Sequence, residues 1–293
     1  MNGSPASEDE TSVPRAPASA GSILAAVGAV LFGFVCLVAG GAVSGALLFA
    51  NLELAPALPL FLPATMLWLW FFWRYVRGDG WPRSTSSRRR DLLRVRRLSP
   101  RAWGWALVAG GLALAAVMGI AFMTYRFAAL PDAAYRAPFE VASFPPWTLV
   151  SLFAAIALTA AVVEEVAFRG YMLSGIQRRF GWVAGISVVT ILFYFAHMSH
   201  AYATVAFVPF FVAHGLVLGL LVFFTRSILP GVVLHAVSDA VVLPMQYGVI
   251  PSVGEWEFVG QGWLSILTGA AAIPAFLRLA RATAPERNDT ASE

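Results

Sequence analysis

Two adjacent glutamates, Glu164 and Glu165, follow a segment from residue 147 to 163 that carries no charged side chain. Carboxylates inside an apolar membrane helix are costly and usually serve a function. On a helix, Glu165 and Arg169 stand four residues apart on nearly the same face, in the favourable order for an ion pair. Glu164 lies about 100° around the helix from Glu165. It has no partner within its own helix, so we expect a group from another helix to meet it.

Two later apolar segments supply ionisable side chains that could meet Glu164. Phe193 stands one helical turn before His197, and His235 stands one turn before Asp239. Imidazole and carboxylate groups are common general acids and bases in enzymes, and both also bind metal ions. We therefore predict that three apolar helices bring these groups together at one site.

The three motifs, E-E-x-x-x-R, F-x-x-x-H and H-x-x-x-D, occur in this order on successive apolar segments. In residue types and order they resemble the CPBP family of intramembrane proteases (CAAX proteases and bacteriocin-processing enzymes, also called Abi). That family includes the type II CAAX prenyl endopeptidases. The resemblance covers residues 145–245 and implies an intramembrane endopeptidase, in which the first glutamate of the pair is essential and the last motif stabilises the oxyanion of the tetrahedral intermediate.

Each residue of the first two motifs has a candidate role. Glu164 is the candidate general base that activates water, and His197 would share or orient that water. We interpret Glu165 as the structural partner of Arg169. Phe193 would pack against the imidazole of His197 and fix its position.

Asp239 departs from the asparagine that relatives often carry at this position. An amide can donate a hydrogen bond to an oxyanion, whereas an ionised carboxylate cannot. Asp239 is therefore protonated, or it holds His235 as a cation, or the oxyanion role falls to His235 alone. We favour an orienting role, because a carboxylate four residues after His235 can accept the imidazole N–H.

The sequence does not decide whether the site holds a metal. Glu164, His197 and His235 could bind zinc as three protein ligands, which would make the protein a metalloendopeptidase. However, the chain has no H-E-x-x-H motif, the usual signature of a zinc protease. We favour a glutamate-type endopeptidase that needs no cofactor. The remaining histidines, His200 and His214, we interpret as structural.

The composition is that of an integral membrane protein, with 59% hydrophobic and 12% charged residues. Soluble domains are about 25% charged. Eight apolar runs are predicted helices, at residues 22–50, 57–76, 102–125, 147–168, 182–200, 203–225, 228–249 and 258–277. The predicted fold is all-α, a polytopic membrane protein with about eight transmembrane helices and an intramembrane polar cavity.

The flanking segments complete the predicted organisation. Residues 1–20, rich in Ser, Ala and Pro, are predicted to form a disordered tail. Residues 21–281 form the membrane domain, which includes an Arg-rich loop at 77–101, and residues 282–293 form a second tail. With eight spans, most arginines fall on the side of that loop. The positive-inside rule then places both tails in the cytoplasm, and we expect a bacterial cell membrane.

The hypothesis from the sequence is an intramembrane endopeptidase that cuts a membrane-associated peptide or protein within the lipid bilayer. Nothing in the sequence identifies a surface for a prenyl group. Two alternatives use the same residues: a non-catalytic membrane scaffold or bacteriocin-immunity protein, and a proton-coupled transporter with mid-membrane carboxylates and histidines. We exclude a nucleic-acid partner, because no recognisable nucleic-acid-binding module accompanies the basic residues.

Overall fold

The computed structural model describes residues 19–131, 143–246 and 255–289, and within them the chain forms helices and no strand. The α-helices are α1 (Ala20–Leu54), α2 (Phe61–Val76), α3 (Ser86–Leu93), α4 (Pro100–Phe127), α5 (Pro146–Glu164), α6 (Leu173–His197), α7 (Val208–Thr225), α8 (Leu229–Gln246) and α9 (Glu255–Asp289). A π-helical segment, Glu165–Met172, joins α5 to α6, and 3-10 turns lie at Arg83–Thr85 and Val205–Phe207.

Each of the eight predicted apolar runs overlaps a helix, which confirms the all-α membrane fold; residues 247–249 of the seventh run lie outside the described residues. Among the described residues, five stretches are long and apolar enough to cross a membrane: Ala20–Leu54, Pro100–Phe127, Pro146–His197, Val205–Thr225 and Val259–Ala284. A shorter apolar helix covers Leu229–Pro244. The stretch Pro146–His197 is broken at Gly181, whose φ of 85° is not helical. Its two parts match the fourth and fifth predicted runs, and the number of eight crossings stays a prediction.

The Arg-rich segment 77–101 is more ordered than the loop expected from the sequence, because it contains α3. Arg89 is buried and donates hydrogen bonds to the carbonyls of Tyr75, Gly80 and Pro82 at 2.6, 2.8 and 2.8 Å. These carbonyls belong to the end of α2 and the turn after it, so Arg89 folds the segment back onto α2. Arg89 therefore stabilises the fold of this segment through its hydrogen bonds, in addition to contributing positive charge on this side of the protein.

The predicted tails are only partly covered by the structure. Residues 1–18 lie outside the described residues, and α1 begins at Ala20. At the other end α9 continues to Asp289, into the predicted tail 282–293. The last predicted membrane helix is thus part of a longer helix.

Helix α1 packs closely against α5 and the π-helical segment, and this packing depends on small residues. A Cβ atom on Gly33 would lie 2.6 Å from Met172 Cγ, and one on Gly40 would lie 2.6 Å from Val163 Cγ2. Small residues let membrane helices approach closely, which is a main source of association where the hydrophobic effect is absent. Helix α1 is therefore held directly against the segment that carries the two glutamates.

A buried ion pair lies inside the π-helical segment. Glu165 is fully buried and Arg169 is 1% exposed. Arg169 Nη1 donates to Glu165 Oε1 at 2.9 Å, which is the pair expected from their spacing. The Arg169 guanidinium also lies 4.6 Å from the centre of the Phe193 ring on α6. The pair thus joins the π-helical segment to its neighbour.

We expect Arg169→Ala to destabilise the protein, because it leaves the buried Glu165 carboxylate without its cation. Removing one partner of a buried ion pair costs about 3–5 kcal/mol. The measurement is the thermal unfolding midpoint in detergent, together with protein abundance in membranes. Arg88→Ala, at an exposed position on α3, is the matched control. A midpoint for Arg169→Ala equal to that of the control would show that the pair does not hold the fold.

Candidate active site

The structure brings four predicted site residues together from three helices. Glu164 ends α5, His197 ends α6, and His235 and Asp239 lie one turn apart on α8. Glu164 Oε2 lies 3.8 Å from His197 Nε2 and 3.9 Å from His235 Nε2. Asp239 Oδ2 lies 3.6 Å from His235 Nε2. Helices α5, α6 and α8 are the fourth, fifth and seventh predicted apolar runs.

Glu164 faces a cavity, whereas its neighbour Glu165 faces the core. The side chain of Glu164 is 15% exposed and that of Glu165 is not exposed at all. Within the described residues Glu164 Oε2 has no hydrogen-bond partner. Its separations from the two imidazoles are too long for direct hydrogen bonds, and contacts of this length are commonly bridged by water. A small polar molecule placed between the three atoms could contact all of them.

The backbone fixes the ring of His197. His197 Nδ1 lies 2.7 Å from the carbonyl oxygen of Phe193. A carbonyl can only accept a hydrogen bond, so Nδ1 carries a proton, and in the neutral ring Nε2 can then accept from a group beside Glu164. The Phe193 ring lies 4.5 Å from the imidazole. Phe193 thus packs as expected from the sequence, and its carbonyl also sets the tautomer.

His235 is hydrogen-bonded to Glu165 in the structure, and the orienting role expected for Asp239 stays a prediction. His235 Nδ1 donates to Glu165 Oε1 at 3.0 Å. The 3.6 Å separation from Asp239 exceeds a hydrogen bond and involves the other ring nitrogen, Nε2. The same oxygen, Glu165 Oε1, is bonded to Arg169 and to His235, so the ion pair holds the carboxylate where it can accept from the imidazole. Glu165 therefore has a second contact, to the site, besides the expected one to Arg169.

Gly231 makes this contact possible and was missed in the sequence. It lies one turn before His235 on α8, and a Cβ atom there would lie 2.9 Å from Glu165 Oε2. Any larger side chain would therefore push the carboxylate away from His235. The only sequence signal was a glycine four residues before a motif histidine. That signal predicts a close contact only when the residue opposite the glycine, Glu165, is known.

The two remaining histidines, for which a structural role is predicted, pack against aromatic rings and also line the cavity that Glu164 faces. His214 is buried and stacks at 5.5 Å on Phe193 and at 5.7 Å on Phe210. It also meets the ring of His235 edge to face, at 5.2 Å. His200 stacks on Tyr202 at 5.3 Å, just after α6 ends.

A cavity of about 440 Å³ contains these groups. Its polar part includes Glu164, His197, His235, Ser238 and Asp239, together with His200, His214 and Thr159. The rest is lined by small and aromatic residues of α1, α4, α5 and α7, among them Gly41, Ser44, Met118, Ala155, Phe207 and Phe211. This size falls in the range of ligand sites, which are mostly apolar with a few polar groups. The cavity therefore places an apolar wall beside a cluster of carboxylates and imidazoles.

The donors fit a metal in type but not in spacing. Among the described residues, no group of three or more His, Cys, Asp or Glu side chains is placed to hold a metal ion. A tetrahedral zinc ion holds its ligand atoms about 3.3–3.5 Å apart. The two distances from Glu164 Oε2 to the imidazoles, 3.8 and 3.9 Å, are longer.

Comparison with known proteins connects this geometry to a family. No curated protein and no solved structure matches the chain significantly. The family model described as "Type II CAAX prenyl endopeptidase Rce1-like" matches residues 146–241. That segment runs from the start of α5 into α8, about a third of the chain, and contains all three motifs. The resemblance seen in the motifs is therefore confirmed: residues 146–241 are similar to the Rce1-like type II CAAX prenyl endopeptidase family.

Proposed function

We propose that this protein is an intramembrane endopeptidase that cuts a membrane-associated peptide or protein with water activated by Glu164 and His197. The observation that carries the proposal is the convergence of Glu164 Oε2, His197 Nε2 and His235 Nε2 in one cavity, at separations that admit a bridging water. The family match supports the same reaction class.

Glu164 is the general base of the proposed reaction. Its carboxylate takes a proton from water held between Glu164 and His197, and the oxygen attacks the carbonyl carbon of the peptide bond. The neutral Nε2 of His197 accepts the second hydrogen bond of that water and so fixes the direction of attack. Glu164 then returns the proton to the leaving amine, which completes hydrolysis.

His235 stabilises the oxyanion in this proposal. As an imidazolium, it donates through both nitrogens, from Nδ1 to Glu165 and from Nε2 into the cavity. Donors aimed at developing negative charge are among the strongest contributions to catalysis. Asp239 lies beside Nε2 at 3.6 Å and acts as a charge partner of His235. Asp239 is therefore a supporting residue of the oxyanion site.

We also propose that the Arg-rich end of the bundle faces the cytoplasm. Arg94, Arg178 and Arg226 lie at the ends of helices on the side of segment 77–101. Positively charged residues next to membrane helices are retained on the cytoplasmic side. Both chain ends then lie on that side if the chain crosses the membrane eight times.

We expect Glu164→Gln to abolish cleavage without changing the amount of inserted protein, because it removes the base and keeps the shape. A general base contributes about 10²–10⁴-fold to the rate. The measurement compares new protein termini in membranes from cells that express wild type, Glu164→Gln or the control Glu53→Gln, which changes an exposed glutamate on α1. Termini that are unchanged in Glu164→Gln would support the non-catalytic scaffold or immunity protein, and uptake driven by an ion gradient would support a transporter.

Metal removal distinguishes the two catalytic types. A peptide identified from those termini serves as substrate for the purified protein. We expect full activity after a strong chelator and dialysis, because the proposed base acts without a metal. Loss of activity that is restored by Zn²⁺ would instead establish a zinc enzyme with Glu164, His197 and His235 as candidate ligands.

We expect Asp239→Asn to retain activity within about tenfold of wild type, because Glu165 still orients His235 and the amide can donate to an oxyanion. The measurement is kcat/KM on the same peptide, beside Glu164→Gln at equal protein concentration. A loss as large as that of Glu164→Gln would mean that the Asp239 carboxylate takes part directly in the reaction.

A further inference from the structure

Two arginines pack against one tryptophan at the end of the bundle that carries the Arg-rich segment, and the charge of a third arginine acts on one of them. Arg94 follows α3, Arg178 lies in α6 just before the break at Gly181, and Arg226 follows α7. The guanidinium carbons of Arg94 and Arg226 lie 4.6 and 4.7 Å from the centre of the Trp182 ring. Together these four residues form a group that we call the Trp182 cluster.

The backbone holds the Trp182 cluster in place. Arg94 and Arg226 are the two residues other than glycine that have positive φ in the described chain, 57° and 55°. This left-handed conformation is uncommon for long side chains. The carbonyl of Arg94 accepts a hydrogen bond from the Ile228 N–H at 3.2 Å, which ties the end of α3 to the turn between α7 and α8. Arg178 Nη2 donates to the carbonyl of Asp91 at 2.7 Å, which ties α6 to α3.

In the part of the chain that the structure describes, the side-chain hydrogen bonds of Arg94 and Arg178 go to an amide and a backbone carbonyl, not to a carboxylate. In the described part of the chain, the only hydrogen-bond acceptor of the Arg94 side chain is Gln177 Oε1, and Arg94 Nη1 is buried without an acceptor. Arg178 bonds to a backbone carbonyl rather than to an acid. Burial, followed by repulsion from Arg178 and Arg226, lowers the pKa of Arg94 to about 9. An anion bound here would relieve that repulsion.

We propose that the Trp182 cluster binds a phosphate group, supplied by the headgroup of an anionic phospholipid in the adjacent leaflet. Guanidinium groups bind phosphate through paired N–H donors, which makes arginine the preferred residue for such sites. Tryptophan is enriched where helices meet the headgroup layer. Basic pockets between membrane helices on the cytoplasmic side bind lipid headgroups. This inference does not depend on the endopeptidase activity.

The position of the Trp182 cluster gives the lipid a structural consequence. Trp182 begins the part of α6 that ends at His197, and the turn after Arg226 leads into α8, which carries His235. A phosphate held between Arg94 and Arg178 would fix the ends of both helices opposite the catalytic groups. The lipid would thus stabilise the bundle without contacting the cavity.

The test measures lipid binding directly on the purified full-length protein. Native mass spectrometry counts bound phosphatidylglycerol and phosphatidylcholine, and thermal unfolding is followed with dihexanoyl phosphatidylglycerol, dihexanoyl phosphatidylcholine or inorganic phosphate. Arg94→Asn removes the guanidinium and introduces a residue that tolerates positive φ. Arg178→Asn removes an exposed member of the cluster, so it tests the proposal even if Arg94→Asn does not fold. Arg88→Asn makes the same charge change outside the cluster.

We expect phosphatidylglycerol, but not phosphatidylcholine, to bind to wild type and Arg88→Asn and to raise their unfolding temperature. Each basic residue near an anionic surface strengthens binding by about fivefold, so Arg94→Asn and Arg178→Asn should each weaken it by that factor. If inorganic phosphate protects wild type equally and loses its effect in the same variants, the bound phosphate comes from a soluble source. Equal binding of both lipids, or an equal loss in Arg88→Asn, would overturn the proposal.

Discussion

The arrangement of the site depends on one fully buried carboxylate that accepts two hydrogen bonds. Glu165 Oε1 receives Arg169 Nη1 at 2.9 Å from its own segment and His235 Nδ1 at 3.0 Å from α8. In a bilayer such a carboxylate is tolerated only when it is paired. The contact therefore serves two purposes that cannot be separated: it neutralises a buried charge, and it fixes the distance and angle between the helices that carry Glu164 and His235.

Adjacent glutamates acquire different environments because the helix turns between them. Glu164 ends α5 and reaches the cavity, while Glu165 begins the π-helical segment and points into the core. π-helical segments are rare and occur frequently at functional sites, since one additional residue per turn redirects side chains. Here the segment keeps Arg169 within reach of Glu165 while Phe193 packs against the guanidinium. Glu165 is thus paired inside the core, whereas Glu164 is left facing the cavity.

Much of this could be predicted from the sequence, because the signals are local. The apolar runs predicted the helices. The i,i+4 spacing predicted the Glu165–Arg169 ion pair and the contact between Phe193 and His197. The orientation of His235 could not be predicted in the same way. Asp239 was the nearest acceptor along the chain, but the acceptor that bonds to the ring comes from 70 residues earlier. The position of Glu165 beside His235 depends on how closely the π-helical segment and α8 approach each other at Gly231. Residue spacing along one helix carries no information about that approach.

The cavity divides between the part of the chain that matches the family and the part that does not. Glu164, His197 and His235 lie within residues 146–241. Much of the apolar wall comes from outside that segment, from Gly41 and Leu48 on α1 and Met118 on α4. Acid–base groups require fixed positions, whereas an apolar wall can change shape by substitution without disturbing them. We therefore expect the choice of peptide substrate to be determined largely by α1 and α4, and the reaction itself by α5, α6 and α8.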